Sequence, residues 1–284
     1  MNLKTVLYGK TYKFNSAQEV MCKASELKSG DVLANVSAAD TKERIAAKVV
    51  LSDLTVQDIR ENPAVDYDKD EVTRVIQDDL NINIYNEIKG YTIGELRELI
   101  LDNNTTSEIL LRLSKGMTSE VIAAVSKIMG NLDLIYASKK FKITSHCNTT
   151  LGINNTFSSR LQPNHPTDDV KGVTASLLEG LSYGVGDALI GLNPAIDTVD
   201  SVTRILNLFQ EVKEKYKIPT QNCVLSHVTT QIEAIKKGAP ADLCFQSIAG
   251  SQIACEAFGI NVKMLEEANE LMKTNGTSTG PNYM

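Results

Sequence analysis

Four short candidate strands in the second half of the chain end in side chains that could hold a small polar ligand. Residues 155–161 lead into Arg160, Gln162 and Asn164. Residues 188–193 end at Asn193, and residues 223–227 end at His227, with Thr229 following. Residues 242–247 carry Phe245, Gln246 and Ser247. Amides, hydroxyls and one guanidinium at matching places suit orientation of a ligand by hydrogen bonds rather than attack on it.

Other chemistries find less support. Cys223 and His227 share a strand face four residues apart, roughly 13 Å at the rise of a strand, too far for one metal ion. His146 and Cys147 stand alone as a pair. Ser182, in Gly180-Leu181-Ser182-Tyr183-Gly184, lacks the strand–turn–helix elbow of a serine hydrolase. No Schiff-base Lys or metal triad falls at the run ends, which places an aldolase or isomerase last. His165, in Pro163-Asn164-His165-Pro166, is a candidate pocket residue. Asp168 and Asp169 are expected to cap a helix, and Asp187 to serve stability at the far end of its strand. Asp70, Glu71, Asp78 and Asp79 read as a solvated helix face.

The elements that would position the ring of polar groups alternate. Helical patterns at 168–183, 197–216, 230–237, 251–258 and 262–274 separate the apolar runs. Strand–helix repetition predicts parallel strands with helical crossovers, and runs apolar on both faces fit such strands. No GxGxxG or Walker loop is present, so a nucleotide-binding sheet is disfavoured. The expected fold class is α/β, a (β/α)8 TIM barrel. A whole barrel needs about 250 residues. The residues available give the first four units, with the opening of a fifth at 280–284. Residues 1–135 read as a mostly helical N-terminal region, with helices at 17–27, 37–50, 55–60, 66–79, 93–101 and 118–129. Residues 136–284 read as the first half of the barrel.

Composition narrows the partners. The 284 residues carry 29 Lys and Arg against 35 Asp and Glu, a net charge of −6. That argues against a nucleic-acid footprint. No apolar run is long enough to span a membrane, and the first residues lack the pattern of a secretory signal. Five cysteines, an odd number without CxxC, read as free thiols in a reducing compartment. A cytoplasmic protein is expected.

The longer motifs carry a resemblance. Residues 160–169 (RLQPNHPTDD), 179–194 (EGLSYGVGDALIGLNP), 219–231 (PTQNCVLSHVTTQ) and 242–250 (DLCFQSIAG) resemble the ethanolamine ammonia-lyase large subunit family. So do LSDLTVQDIRENP, DEVTRVIQDD and GMTSEVIAAVSKIM nearer the start. One small departure is Asn35, where the family tends to have Gly. The resemblance implies an adenosylcobalamin-dependent radical lyase that converts ethanolamine to acetaldehyde and ammonia. It implies a small subunit, further large subunits in a hetero-oligomer, and an association with bacterial microcompartments.

By the same resemblance Arg160 is the catalytic group, and Arg160, Gln162 and Asn193 contact substrate. Asn193, Phe245, Gln246 and Ser247 contact the cofactor, and no protein metal site is implied. The family holds the substrate ammonium with a glutamate just beyond the position of Met284 and a later aspartate. A chain without them is expected to be a truncated copy, inactive alone. The alternative from another class is a non-catalytic half-barrel protein that binds cobalamin or a subunit.

Overall fold

A computed structural model describes residues 1–280 as two compact units, Met1–Lys142 and a second beginning at Ile143. The first unit opens with an antiparallel hairpin, Lys4–Leu7 with Lys10–Lys13, which the helical reading of this region omitted. Tyr8 and Gly9 both take positive φ. A two-residue hairpin loop of this kind needs that handedness to match the strand twist. The rest is helical, and polar side chains set the helix starts. Asp40 caps Thr41–Asp53, Thr118 caps Ser119–Ile128, and Thr55 with Asp58 and Thr92 with Glu95 form capping boxes. Ala46, Ala47, Val50 and Leu51 from Thr41–Asp53 join Val56, Ile59, Ile93, Leu96 and Val121 in one core.

The acid-rich stretch departs from expectation. It divides into a 3-10 turn, Tyr67–Lys69, and the helix Glu71–Asp78. Asp70 is buried at the cap of that helix and accepts from Thr73 N–H at 2.8 Å. It is therefore part of the core boundary rather than a solvated face. The helix Asn131–Lys140 runs across residue 135, where the helical region was expected to close.

The second unit holds a three-stranded parallel sheet in the order Arg160–Leu161, Leu189–Leu192, Asn222–Val224. Helices Val170–Ser182 and Val199–Tyr216 connect the strands. Ile190, Leu192 and Val224 are fully buried on the outer face of the sheet. Gly180 lets the first of these helices approach, because a Cβ there would strike Leu161. Helices Val228–Lys236, Gln252–Ala257 and Val262–Asn275 follow.

The amino-terminal end of the sheet is tied shut. A small hairpin, Ser145–His146 with Thr150–Leu151, presents Asn148 and Thr149 to the Gln221 side chain at 3.1 Å each. Thr220 Oγ1 donates to Gly186 O at 2.6 Å. Asp187 accepts from Ser159 N–H and Oγ at 2.8 and 2.7 Å, and these bonds hold its carboxyl below the usual carboxylate range. The stabilising role expected of Asp187 thus has a definite partner.

The barrel expectation needs correction. Among the described residues there are three parallel strands, not four, and no closed barrel; the fold is mixed α/β with small sheets. Residues 242–247 form no strand. Leu243 N–H reaches Asn222 O at 3.1 Å, but side chains take over the neighbouring ladder groups. Asp242 and Asn222 exchange side chain–backbone bonds of 2.8 and 2.9 Å. Gln231 binds Phe245 O at 2.6 Å and Phe245 N–H at 3.1 Å. Local side-chain bonds of this kind compete directly with strand pairing. The first strand is also shorter than expected, being Arg160–Leu161 alone. The fifth expected strand, residues 280–284, lies beyond the described residues apart from Gly280.

Candidate functional site

Strand alternation sorts the inner face. Arg160 pairs with Leu189, two residues before Gly191, and Gly191 pairs with Cys223. Successive side chains point to opposite faces, so Arg160, Gly191 and Cys223 share the face away from the helices. A Cβ at Gly191 would lie 2.9 Å from Cys223 Sγ, 3.4 Å from Arg160 Nη2 and 3.5 Å from Leu225 Cδ1. The guanidinium therefore crosses the sheet through space that a missing side chain leaves open. It ends against the Phe245 ring, with Cζ 5.9 Å from the centroid, within the range of a cation–π contact. Burial pushes the Cys223 thiol up to about 12, with Arg160 opposing the rise and Asp242 adding to it.

At the carboxyl ends of the strands lies an open cavity of about 400 Å³. Asn193, Phe245, Gln246 and Ser247 line it, together with Asp197, Leu225, Ser226, His227 and Phe258. Four expected site residues are thereby brought together, and Arg160 reaches the same place through Phe245. Gln162 is exposed one residue beyond the first strand and is not among those lining the cavity.

Each part is held by its neighbours. Asn164 Oδ1 accepts from Asn193 N–H at 3.0 Å, which joins the first two strand ends. Gln246 Oε1 accepts from Val228 N–H at 2.8 Å and so satisfies the start of helix Val228–Lys236. One of its amide hydrogens goes to Ser247 O, leaving the second for a ligand. Gln231 Nε2 also reaches Ser226 O at 2.7 Å. His227 N–H donates to Asp197 Oδ2 at 2.8 Å. Its Nδ1 accepts from Thr229 N–H, and its Nε2 meets Phe258 O at 3.2 Å. Both ring nitrogens are thus engaged, consistent with the tautomer protonated at Nε2.

Two expectations change place. Asp169, not Asp168, caps Val170–Ser182, accepting from Gly172 N–H at 2.9 Å. Asp168 is buried with positive φ and accepts from Ala195 and Ile196 N–H at 2.8 Å each. It fixes the loop after the second strand. His165 packs against Gly172, where a Cβ would collide with its ring, and lies outside the cavity lining.

Sequence reasoning passed over Asp197, Ser226 and Phe258 as site residues. Asp197 carried a signal, as a carboxylate in the loop directly after a strand. Phe258 arrives from the end of a separate helix and had none. Among the described residues, no three His, Cys, Asp or Glu form a metal-binding group. No helix among them is long and apolar enough to cross a membrane.

Phe245 and Phe258 with the amides of Asn193 and Gln246 line a cavity at the carboxyl ends of parallel strands, the place where α/β folds commonly receive ligands. The comparisons are more specific. The family model described as Ethanolamine ammonia lyase large subunit (EutB) matches residues 12–284. The ethanolamine ammonia-lyase large subunit of Escherichia coli strain K12 is 54% identical over 268 residues, covering 94% of this chain. That of Salmonella typhimurium strain LT2 is 54% identical over the same length and share. The chain belongs to the ethanolamine ammonia-lyase large subunit family. It spans 59% of the length of these relatives.

Proposed function

We propose that this chain supplies the inner face of an adenosylcobalamin-dependent ammonia-lyase that converts ethanolamine to acetaldehyde and ammonia. The observation that carries the reading is that Arg160 lies over the ring of Phe245, which lines one cavity with Asn193, Gln246 and Ser247. Arg160 and Gln162 contact substrate, and the Asn193 amide takes the substrate hydroxyl. The Arg160 charge disfavours protonation of an amine beside it. The three strands with residues 242–247 are the opening units of a barrel, and the mostly helical unit Met1–Lys142 is its N-terminal region.

The lining fits a flat macrocycle fringed with amides. Phe245 and Phe258 expose 39% and 54% of their surface, offering apolar planes. Around them Asn193, Gln246 and Ser247 offer donors and acceptors. The buried Ser226 hydroxyl has no hydrogen-bond partner among the described residues, a group that a ligand atom would satisfy. Asn193, Phe245, Gln246 and Ser247 would hold the cofactor. When bound, adenosylcobalamin supplies a carbon-centred radical by homolysis of its cobalt–carbon bond. This chain's residues bind, orient and exclude water. The partners are the small subunit and further large subunits, in the cytoplasm or a bacterial microcompartment.

The test is cobalamin binding by the chain with its small subunit, followed by visible absorbance during gel filtration. Cobalamin is expected to co-elute with protein, and substitution Asn193→Leu is expected to weaken it. A folded complex that carries no cobalamin would refute the reading.

A further inference from the structure

We propose that Arg160, steadied by Phe245, is a cover that keeps the Cys223 thiol out of the cavity. Cys223 lies on the inner face of the third strand, at one edge of the sheet, yet it is only 1% exposed. Across from it in register is Gly191, which has no side chain to cover it. Cys223 Sγ and Arg160 Nη2 both fall within 3.4 Å of the point where a side chain at Gly191 would begin. Leu225 Cδ1 closes the same gap at 3.5 Å. The guanidinium thus lies where a larger residue in place of Gly191 would otherwise lie. The Phe245 ring bounds it on the far side.

The purpose of such a cover rests on the radical reading above. A thiol is a hydrogen-atom donor. A carbon radical in the cavity that reached it would take the sulfur's hydrogen atom. A C–H bond would form, the S–H bond would break, and a thiyl radical would remain on Cys223. That side reaction ends turnover, so a thiol on the inner face needs a barrier. Arg160 would then have two tasks, contact with substrate on one side and exclusion of the thiol on the other.

Access to Cys223 can be read without cofactor or turnover, so the result stands apart from the success of the functional reading. The full chain is treated with iodoacetamide at mildly alkaline pH, and the rate at each cysteine is read by peptide mass spectrometry. Exposed Cys22 reports reagent activity, and buried Cys244 in the same unit reports general opening. In the wild-type chain Cys22 reacts and Cys223 does not. In Arg160→Ala, Cys223 is expected to react at least tenfold faster while Cys244 does not change. Loss of the charge alone would slow the reaction, because the guanidinium favours the thiolate. Acceleration therefore reports access. Phe245→Leu removes the bounding ring and is expected to give a smaller, several-fold rise. Unchanged Cys223 in folded Arg160→Ala or Phe245→Leu protein overturns the proposal. An equal rise at Cys244 also overturns it, because the fold as a whole would then be the cover.

Discussion

Substituting Gly191→Ala places a methyl group where the structure leaves none. The new Cβ would lie 2.9 Å from Cys223 Sγ, closer than such atoms pack, and 3.4 Å from Arg160 Nη2. Gly191 does not take positive φ, so the backbone itself accepts alanine. Cys223 is short and buried, so the sulfur has little freedom to retreat. Overpacking of this kind costs about 1–3 kcal/mol. Reduced freedom of the unfolded chain returns about 0.4–1 kcal/mol. A net loss of up to about 2.6 kcal/mol, centred near about 1 kcal/mol, follows from these two terms. Cys223→Ala removes the obstructing sulfur and is expected to relieve the strain. The double variant should be more stable than the sum of the singles by the strain relieved, about 1–3 kcal/mol. Hydrogen exchange in increasing urea, read on peptides containing Ile190 and Val224, measures all four proteins on the second unit itself. Additivity of the two substitutions within about 0.3 kcal/mol would refute the argument that these residues share one space.

Three further outcomes follow from the same contacts. Asp242→Asn leaves Lys213 buried without its anion and should cost about 3–5 kcal/mol, with Lys213→Met in the same chain restoring part of it in urea unfolding. Gln231→Leu strips partners from Ser226 O, Phe245 O and Phe245 N–H; stability should fall by about 2–3 kcal/mol and exchange at Phe245 should accelerate. Asp187 has a folded pKa below its unfolded value, so its contribution is complete above about pH 4 and is lost as pH falls through the folded value. Asp187→Ala should therefore flatten the acid limb of the stability curve while leaving its slope near pH 7 unchanged.

Much of the helical framework was legible because caps and apolar stripes coincide. Thr92 and Glu95 form the capping box that opens Ile93–Leu101, and Thr118 opens Ser119–Ile128. The buried parallel strands were legible as apolar runs, though Arg160–Leu161 is far shorter than its run. The hairpin at Lys4–Leu7 was not, because the apolar Val6 faces solvent, the second strand buries only Tyr12, and its turn uses Tyr8 instead of a second glycine. Residues 242–247 misled for a different reason. Their apolar character is that of a strand, but Asn222, Gln231 and Asp242 supply side chains that take the ladder bonds. No local pattern shows that a glutamine fourteen residues upstream will replace a neighbouring strand.

The site was legible as residue types and not as a shape. Asn193 comes to the cavity at the end of a parallel strand, and Gln246 and Ser247 come from the segment that Asn222 and Gln231 hold beside the third strand. The lane at Gly191 through which Arg160 reaches Phe245 depends on which residues face each other across the sheet. Pairing register decides that, and spacing along the chain does not contain it.

The central claim is that Arg160 faces bound ligand at this cavity. Phenylglyoxal modification of arginines, read by peptide mass spectrometry on the chain with its small subunit, tests it most directly. Adenosylcobalamin and ethanolamine together are expected to slow modification at Arg160. Arg112, an exposed residue of the first unit paired with Glu87, should react as before. An Arg160 that reacts equally fast with both ligands present would contradict the account.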